Sequence, residues 1–184
     1  VPPGSYTARL TADGRTFTQS FVVRADPKTQ YTQAQLVRGY EFAKRGEAMY
    51  STIDTMLNNL DTVQKSIDAA TAAAKKANNT DAQAKLDAIL TAKKSAFDFL
   101  TANFQNDEDS IELPGALRED VQFLQFVGGT VITPAIEYHM KRITAEYRRG
   151  VSGYNGFVKM ELPALNEVLR SLNEKPVTIA EATL

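Results

Sequence analysis

The sequence predicts a mainly α protein, an antiparallel bundle of long helices preceded by a β-hairpin. Three observations predict it. Two short segments near the start alternate apolar and polar residues around Asp13-Gly14. From Thr32 onward the apolar residues recur every three or four positions over three long stretches. The breaks between these stretches carry helix-stop and helix-start residues.

Residues 5–10 place Tyr6, Ala8 and Leu10 on one face of a strand, and residues 16–23 place Phe17, Phe21 and Val23 on one face of a second. Asp13-Gly14 between them is a hairpin signal, because glycine accepts positive φ without a steric cost. Asp26-Pro27 closes the second strand, since proline cannot donate to a ladder. A hairpin alone is marginal in water. It must lie on the helices or be the last hairpin of a sandwich. The abrupt Val1-Pro2-Pro3-Gly4 start favours the sandwich and reads as an excised or mature piece. An unpaired strand edge is expected to be covered by a helix or a partner chain. Residues 1–30 are therefore read as one unit and 31–184 as a helical bundle.

Thr32 caps the first helix, with Gln35 completing a capping box. Its stripe runs through Leu36, Tyr40, Ala43, Tyr50, Ile53, Leu57, Leu60, Ile67 and Ala74, with Gly46 or Glu47 filling the gap before Tyr50, and Asn78-Asn79 ends it. Thr80, with Gln83, is expected to cap a second helix of about 24 residues, roughly 36 Å long. Its stripe is Leu86, Ile89, Leu90, Phe97, Leu100 and Phe104, with Lys93 snorkelling across it. Residues 105–115 are a loop by composition. A short helix from about Ala116 to Phe126 is expected to fill the remaining bundle position, and Gly128-Gly129 stops it.

Thr133 caps the last helix, with Pro134 at its first position, where a missing N–H costs nothing. The stripe is Ile136, Met140, Ile143, Tyr147, Val151, Tyr154, Val158, Leu162, Leu165, Leu169 and Leu172. Gly150, Gly153 and Gly156 each weaken it by about 1 kcal/mol relative to Ala. Pro163 is expected to kink or restart the helix near Leu162, and Asn173 to Pro176 end it.

Composition excludes several chemistries. With 21 basic and 22 acidic residues the net charge is -1, so bulk attraction to nucleic acid or an anionic membrane is not expected. No cysteine is present, which removes thiol nucleophiles, thiolate metal sites and disulfides. One histidine excludes a two-histidine metal site. No apolar run of about 18 residues exists, so no membrane span is expected.

Each candidate motif has a plainer reading. Asp107-Glu108-Asp109 with Glu112 lacks the calcium-loop pattern, because Ile111 stands at its fifth position and Glu112 at its sixth; it reads as a solvated acidic loop. Gly150-Val151-Ser152-Gly153 lacks the glycine a nucleophile elbow needs two residues after the serine. His139, between Tyr138 and Met140, reads as a residue flanking the stripe. Asn78-Asn79-Thr80 is a formal glycosylation sequon. Tyr6, Tyr31, Tyr40, Tyr50, Tyr138, Tyr147 and Tyr154 read as core or core-rim residues, and the absence of Trp weakens a sugar platform. Lys141, Arg142, Arg148 and Arg149 lie near Glu137 and Glu146 and read as a salt-bridged helix surface. The residues thus provide no catalytic, cofactor-binding or metal-binding set.

Three stretches carry a family resemblance: Pro3-Gly4-Ser5-Tyr6 to Leu10, then Asp13-Gly14, then Phe21-Val22-Val23-Arg24-Ala25-Asp26-Pro27. They resemble the end of the immunoglobulin-like module in bacterial sortilin-like, BNR-repeat (sialidase-like) β-propeller proteins, where it leads into a C-terminal helical region. Thr133-Pro134 and Leu162-Pro163-Ala164-Leu165-Asn166 with Leu169 resemble that family's final helix. The resemblance implies a hairpin left over from an Ig-like module. It also implies a non-catalytic accessory or interaction domain of an exported, glycosidase-like multidomain protein, located in the periplasm, on the outer surface or outside a bacterium. The implied partners are the upstream propeller and Ig-like module, with self-association through the hairpin edge or the helices also open. Any glycosidase carboxylate pair would lie in the propeller, so enzymatic activity of the parent stays open. Two alternatives remain: part of a carbohydrate-processing enzyme with its catalytic propeller upstream, or a free-standing ligand-binding bundle in which tyrosines and His139 converge.

Overall fold

The structure, a computed structural model, describes residues 1–101, 117–127 and 130–184. Two antiparallel strands, β1 (Gly4–Ala12) and β2 (Arg15–Val23), are followed by four helices: α1 (Gln33–Lys76), α2 (Thr80–Leu100), α3 (Leu117–Gln125) and α4 (Pro134–Ser171). The mainly α bundle preceded by a hairpin is the architecture expected.

The strands pair from Gly4 with Val23 to Ala12 with Arg15. Asp13 and Gly14 both take positive φ, 50° and 72°, the geometry of a two-residue turn whose twist matches the strands. The register puts Tyr6 opposite Phe21 and Leu10 opposite Phe17 on one face. Ser and Thr pairs, Thr7 with Ser20 and Thr11 with Thr16, hydrogen-bond on the other.

Helix α1 has 44 residues, about 66 Å of length. Thr32 caps it, accepting from the Gln35 N–H while the Gln35 side chain accepts from the Thr32 N–H. Its buried stripe from Ile53 runs Ile53, Met56, Leu60, Val63, Ile67, Ala70 and Ala74, alternating steps of three and four as in a heptad seam. The expected Leu57 lies at the edge of this stripe, and Met56 takes the central place. In the first turns Gly39 and Phe42 are buried instead of Tyr40 and Ala43, so the stripe begins one position away from the one expected, and it rejoins it at Gly46, which is buried. Leu36, Tyr40 and Ala43 are left half-buried at its edge.

Side-chain partners give the course of the other legs. Down α1, the Gln83 side chain reaches the Ala74 carbonyl, Lys93 reaches Gln64, and Arg118 reaches Asp54. The α1 partners descend by ten at each step, so α2 and α3 together form one leg antiparallel to α1. In contrast, Arg38 pairs with Glu137, and Asn59 with Tyr154, so α4 rises parallel to α1. At Gly150 of α4 both halves of the descending leg converge: an added Cβ would lie 3.1 Å from Leu100 of α2 and 3.0 Å from Leu117 of α3.

Several expectations are corrected. Asn79 caps α2, its side chain accepting from the Ala82 N–H at 3.0 Å; Asn78 just before it takes positive φ (52°), which shifts the cap to Asn79 and makes Thr80 the first helical residue. Leu90 and Phe97 are exposed, because the buried face of α2 runs Ala82, Leu86, Ile89 and Leu100, with Ala96 and Phe99 packed against the core. Helix α4 continues through Pro163 without restarting; only the carbonyl four residues back loses its helical partner. The short helix does not fill a fourth bundle position, since it extends the line of α2. That position, between α1 and α4, holds the extended chain after Asn173, with Val177 and Ile179 in the core. Phe104, the acidic cluster at 107–112 and the 105–115 loop lie outside the described residues, as does Gly128-Gly129.

Candidate functional site

Three surfaces deserve comparison as candidate sites. The first is the hairpin. Neither strand packs on a helix among the described residues, so the option that it lies on the helices is not realised; the Gln33 side chain donates to the Pro3 carbonyl at its base. Leu10 and Phe17 are 64% and 56% exposed, and Phe21 47%. Tyr6 and Phe21 stack with ring centroids 5.9 Å apart. The opposite face carries Ser5, Thr7, Arg9 and Thr11 with Thr16, Thr18 and Ser20, and one apolar residue, Val22. One apolar face and one polar face is the pattern of an antiparallel sheet that covers a core with one side. Among the described residues the apolar side covers no helix, and no helix packs along the strands.

The second is a groove of about 380 Å³ between α2 and α4. Its walls include Ala92, Ala96, Gly153, Gly156, Phe157 and Met160. A Cβ at Gly153 or Gly156 would meet nothing within 4 Å, so these two glycines are open floor, whereas Gly150 is a packing point.

The third is the groove between α1 and α4 that holds the C-terminal segment. Asn166 donates to the Val177 carbonyl and accepts from the Val177 N–H, at 2.9 and 2.8 Å. Asn155 does the same to Ala182, at 2.9 and 2.8 Å. The Tyr154 hydroxyl accepts from Asn59 at 2.7 Å and donates to the Ala180 carbonyl at 2.9 Å. Burial pushes the Tyr154 hydroxyl above the usual tyrosine range, while the Asn59 bond pulls the other way.

The motifs read from the sequence do not converge. His139 and Tyr138 are exposed on α4. Tyr50 lies under the Arg118 guanidinium, 4.7 Å from ring centroid to Cζ; Tyr147 and Tyr154 point to the C-terminal segment. The pocket of tyrosines around His139 is therefore not built. Ser152 is an exposed mid-helix residue. Arg142 pairs with Asp120 and Arg149 with Glu146, at 3.0 and 2.9 Å. Among the described residues no group of three His, Asp or Glu could hold a metal ion, and no helix is long and apolar enough to cross a membrane.

No family model, no curated protein and no solved structure matches this chain. The residues sequence reasoning missed are Asn59, Asn155 and Asn166. Polar residues on a helix carry no signal of a partner until the course of the C-terminal segment is known.

Proposed function

We propose that this chain is a non-catalytic docking module, the C-terminal accessory domain of an exported multidomain β-propeller protein of glycosidase-like type. The observation that carries the reading is the projecting hairpin, whose Tyr6, Leu10, Phe17 and Phe21 share one uncovered face. A partner sheet laid on that face would remove this area from water at roughly 25 cal/mol per Å², and would complete a two-layer core that two strands cannot form alone. An upstream Ig-like module is the partner that the resemblance of Pro3–Leu10 and Phe21–Pro27 implies, and the helices then act as a rigid post beside it. Chemistry, if the parent has any, belongs to the propeller.

Two measurements test this. The isolated chain should hydrolyse no member of a panel of aryl glycosides above blank, and measurable turnover would make the non-catalytic reading wrong. The upstream modules, expressed separately, should co-elute with this chain, and the double substitution Phe17→Ser/Phe21→Ser should abolish co-elution. Co-elution unaffected by that substitution would remove the hairpin from the interface.

A further inference from the structure

The C-terminal segment is held as a ligand is held. Asn155 and Asn166 stand 11 residues apart on α4, about 16.5 Å at 1.5 Å per residue. Their partners Ala182 and Val177 stand five apart on an extended chain, about 16.5 Å at 3.3 Å per residue. The two rungs match, and the segment runs antiparallel to the helix. Each asparagine side chain satisfies both backbone groups of one residue, as a neighbouring strand would. The Tyr154 hydroxyl takes the Ala180 carbonyl between them. Two apolar anchors sink into the core, Val177 and Ile179, at 7% and 9% exposure. Outside, Glu181 pairs with Lys159 at 3.0 Å.

Every one of these contacts joins residues 177–184 to the bundle. The covalent link is the short turn at Leu172–Pro176, with Asn173 at positive φ (59°). Recognition is by main-chain amides and two aliphatic anchors, so the groove does not distinguish its own C-terminal segment from the same segment of another molecule. We propose that the α1–α4 groove is a binding site for an extended peptide, and that its second occupant is residues 177–184 of another copy of this chain, exchanged across a short hinge. Exchange of an identical element costs no contacts, since the dimer repeats those of the monomer, and a short hinge is where such exchange arises. Competition with the tethered segment sets its extent. A short tether gives an effective concentration of millimolar order, so at about one tenth of that concentration roughly one tenth of the grooves take the segment of a neighbour.

The chain has no cysteine, so introduced thiols report uniquely. Two variants, Lys159→Cys and Glu181→Cys, alter an exposed ion pair. They are mixed at high concentration, warmed, and treated with a short bis-maleimide that links both sites within the double variant. Because each chain carries one thiol, a 159–181 product forms only between molecules. In an equal mixture half of the exchanged pairs are heterotypic, so its yield should approach about one twentieth of the chains at about one tenth of the millimolar effective concentration. The pair Lys94→Cys with Glu181→Cys, on the far leg, should stay at the collision background, and excess synthetic peptide of residues 174–184 should suppress the 159–181 product. Equal yields for the two pairs, or a 159–181 product indifferent to the peptide, would overturn the proposal. The hairpin takes no part in this experiment, so its outcome is independent of the docking reading.

Discussion

The hydroxyl of Tyr154 ties three segments together at one atom, accepting from Asn59 of α1 and donating to Ala180. Tyr154→Phe leaves a side-chain amide and a carbonyl without their partner and should cost about 1–3 kcal/mol in urea unfolding. The same residue shapes the alkaline limb. Its folded pKa lies above 10.0, chiefly through burial, so its contribution is intact below pH 10.0 and is lost as pH rises beyond it. Lys93 acts with the opposite sign. Burial beside Phe97 holds it below 10.5, the unfolded chain binds the extra proton, and stability rises with pH just below 10.5. Urea midpoints across this range should lose the fall in Tyr154→Phe and the rise in Lys93→Met; an unchanged profile in either variant assigns that limb elsewhere.

Glycines one turn apart should also separate. Gly153→Ala meets open space and gains helix propensity, so it should stabilise by about 0.5–1 kcal/mol. Gly150→Ala must displace Leu100 and Leu117, both buried, and should destabilise, by about 1–3 kcal/mol if the core cannot yield. Thermal melts of the two variants check the order. At this scale the sequence shows a local cost of glycine but not its sign, because the sign depends on which leg passes the residue.

Among the elements, the long helices were legible from their caps and periods: Thr32, Thr133 and Asn173 stand where the chain starts and stops. What was not legible is the pairing of legs. Helix α3 continues α2 because Arg118 finds Asp54 and Tyr50, contacts 64 or more residues apart in sequence that no local pattern encodes. The strapped C-terminal segment was hidden for the same reason, since Pro176 correctly announces a helix end but not where the chain goes next. Amide hydrogen exchange should expose the strap directly. Asn166→Ala should raise exchange at the Val177 amide roughly tenfold or more, one hydrogen bond being worth about 1 kcal/mol and two being lost, while amides in the middle of α1 stay unchanged. A matching rise throughout α1 would mean that the strap and the bundle open as one unit.

At the scale of the whole molecule, no described helix packs on the hairpin, and the Gln33 side chain meets the chain at the hairpin's base. The hairpin was legible because Asp13-Gly14 and the period-two alternation are local; that its apolar face finds no helix among the described residues depends on the course of the rest of the chain. Phe17→Ser/Phe21→Ser should therefore leave the melting temperature of the helical signal within about 1–2 °C of the parent chain, surface changes away from packed features being worth less than about 0.5 kcal/mol. A drop of many degrees in circular dichroism at the helical minimum would show that the hairpin supports the bundle after all.

The antiparallel course of the C-terminal segment along α4 also has a mechanical consequence. The first residues are held at the start of α1 by Gln33, whereas the segment runs back down α4 and ends beside Tyr147. Tension between the two chain ends pulls Leu184 away from the start of α1, back toward the turn at Asn173. The rungs at Ala182, Ala180 and Val177 are then loaded one after another, as in a zipper, and not all together. A pulling experiment should record a low-force release of residues 174–184, roughly 36 Å of chain, distinct in length from the unzipping of the Gly4–Val23 hairpin and preceding the yield of any helix. The bundle would thus pass small loads to its own strap, giving up the Val177 and Ile179 anchors while its helices stay packed.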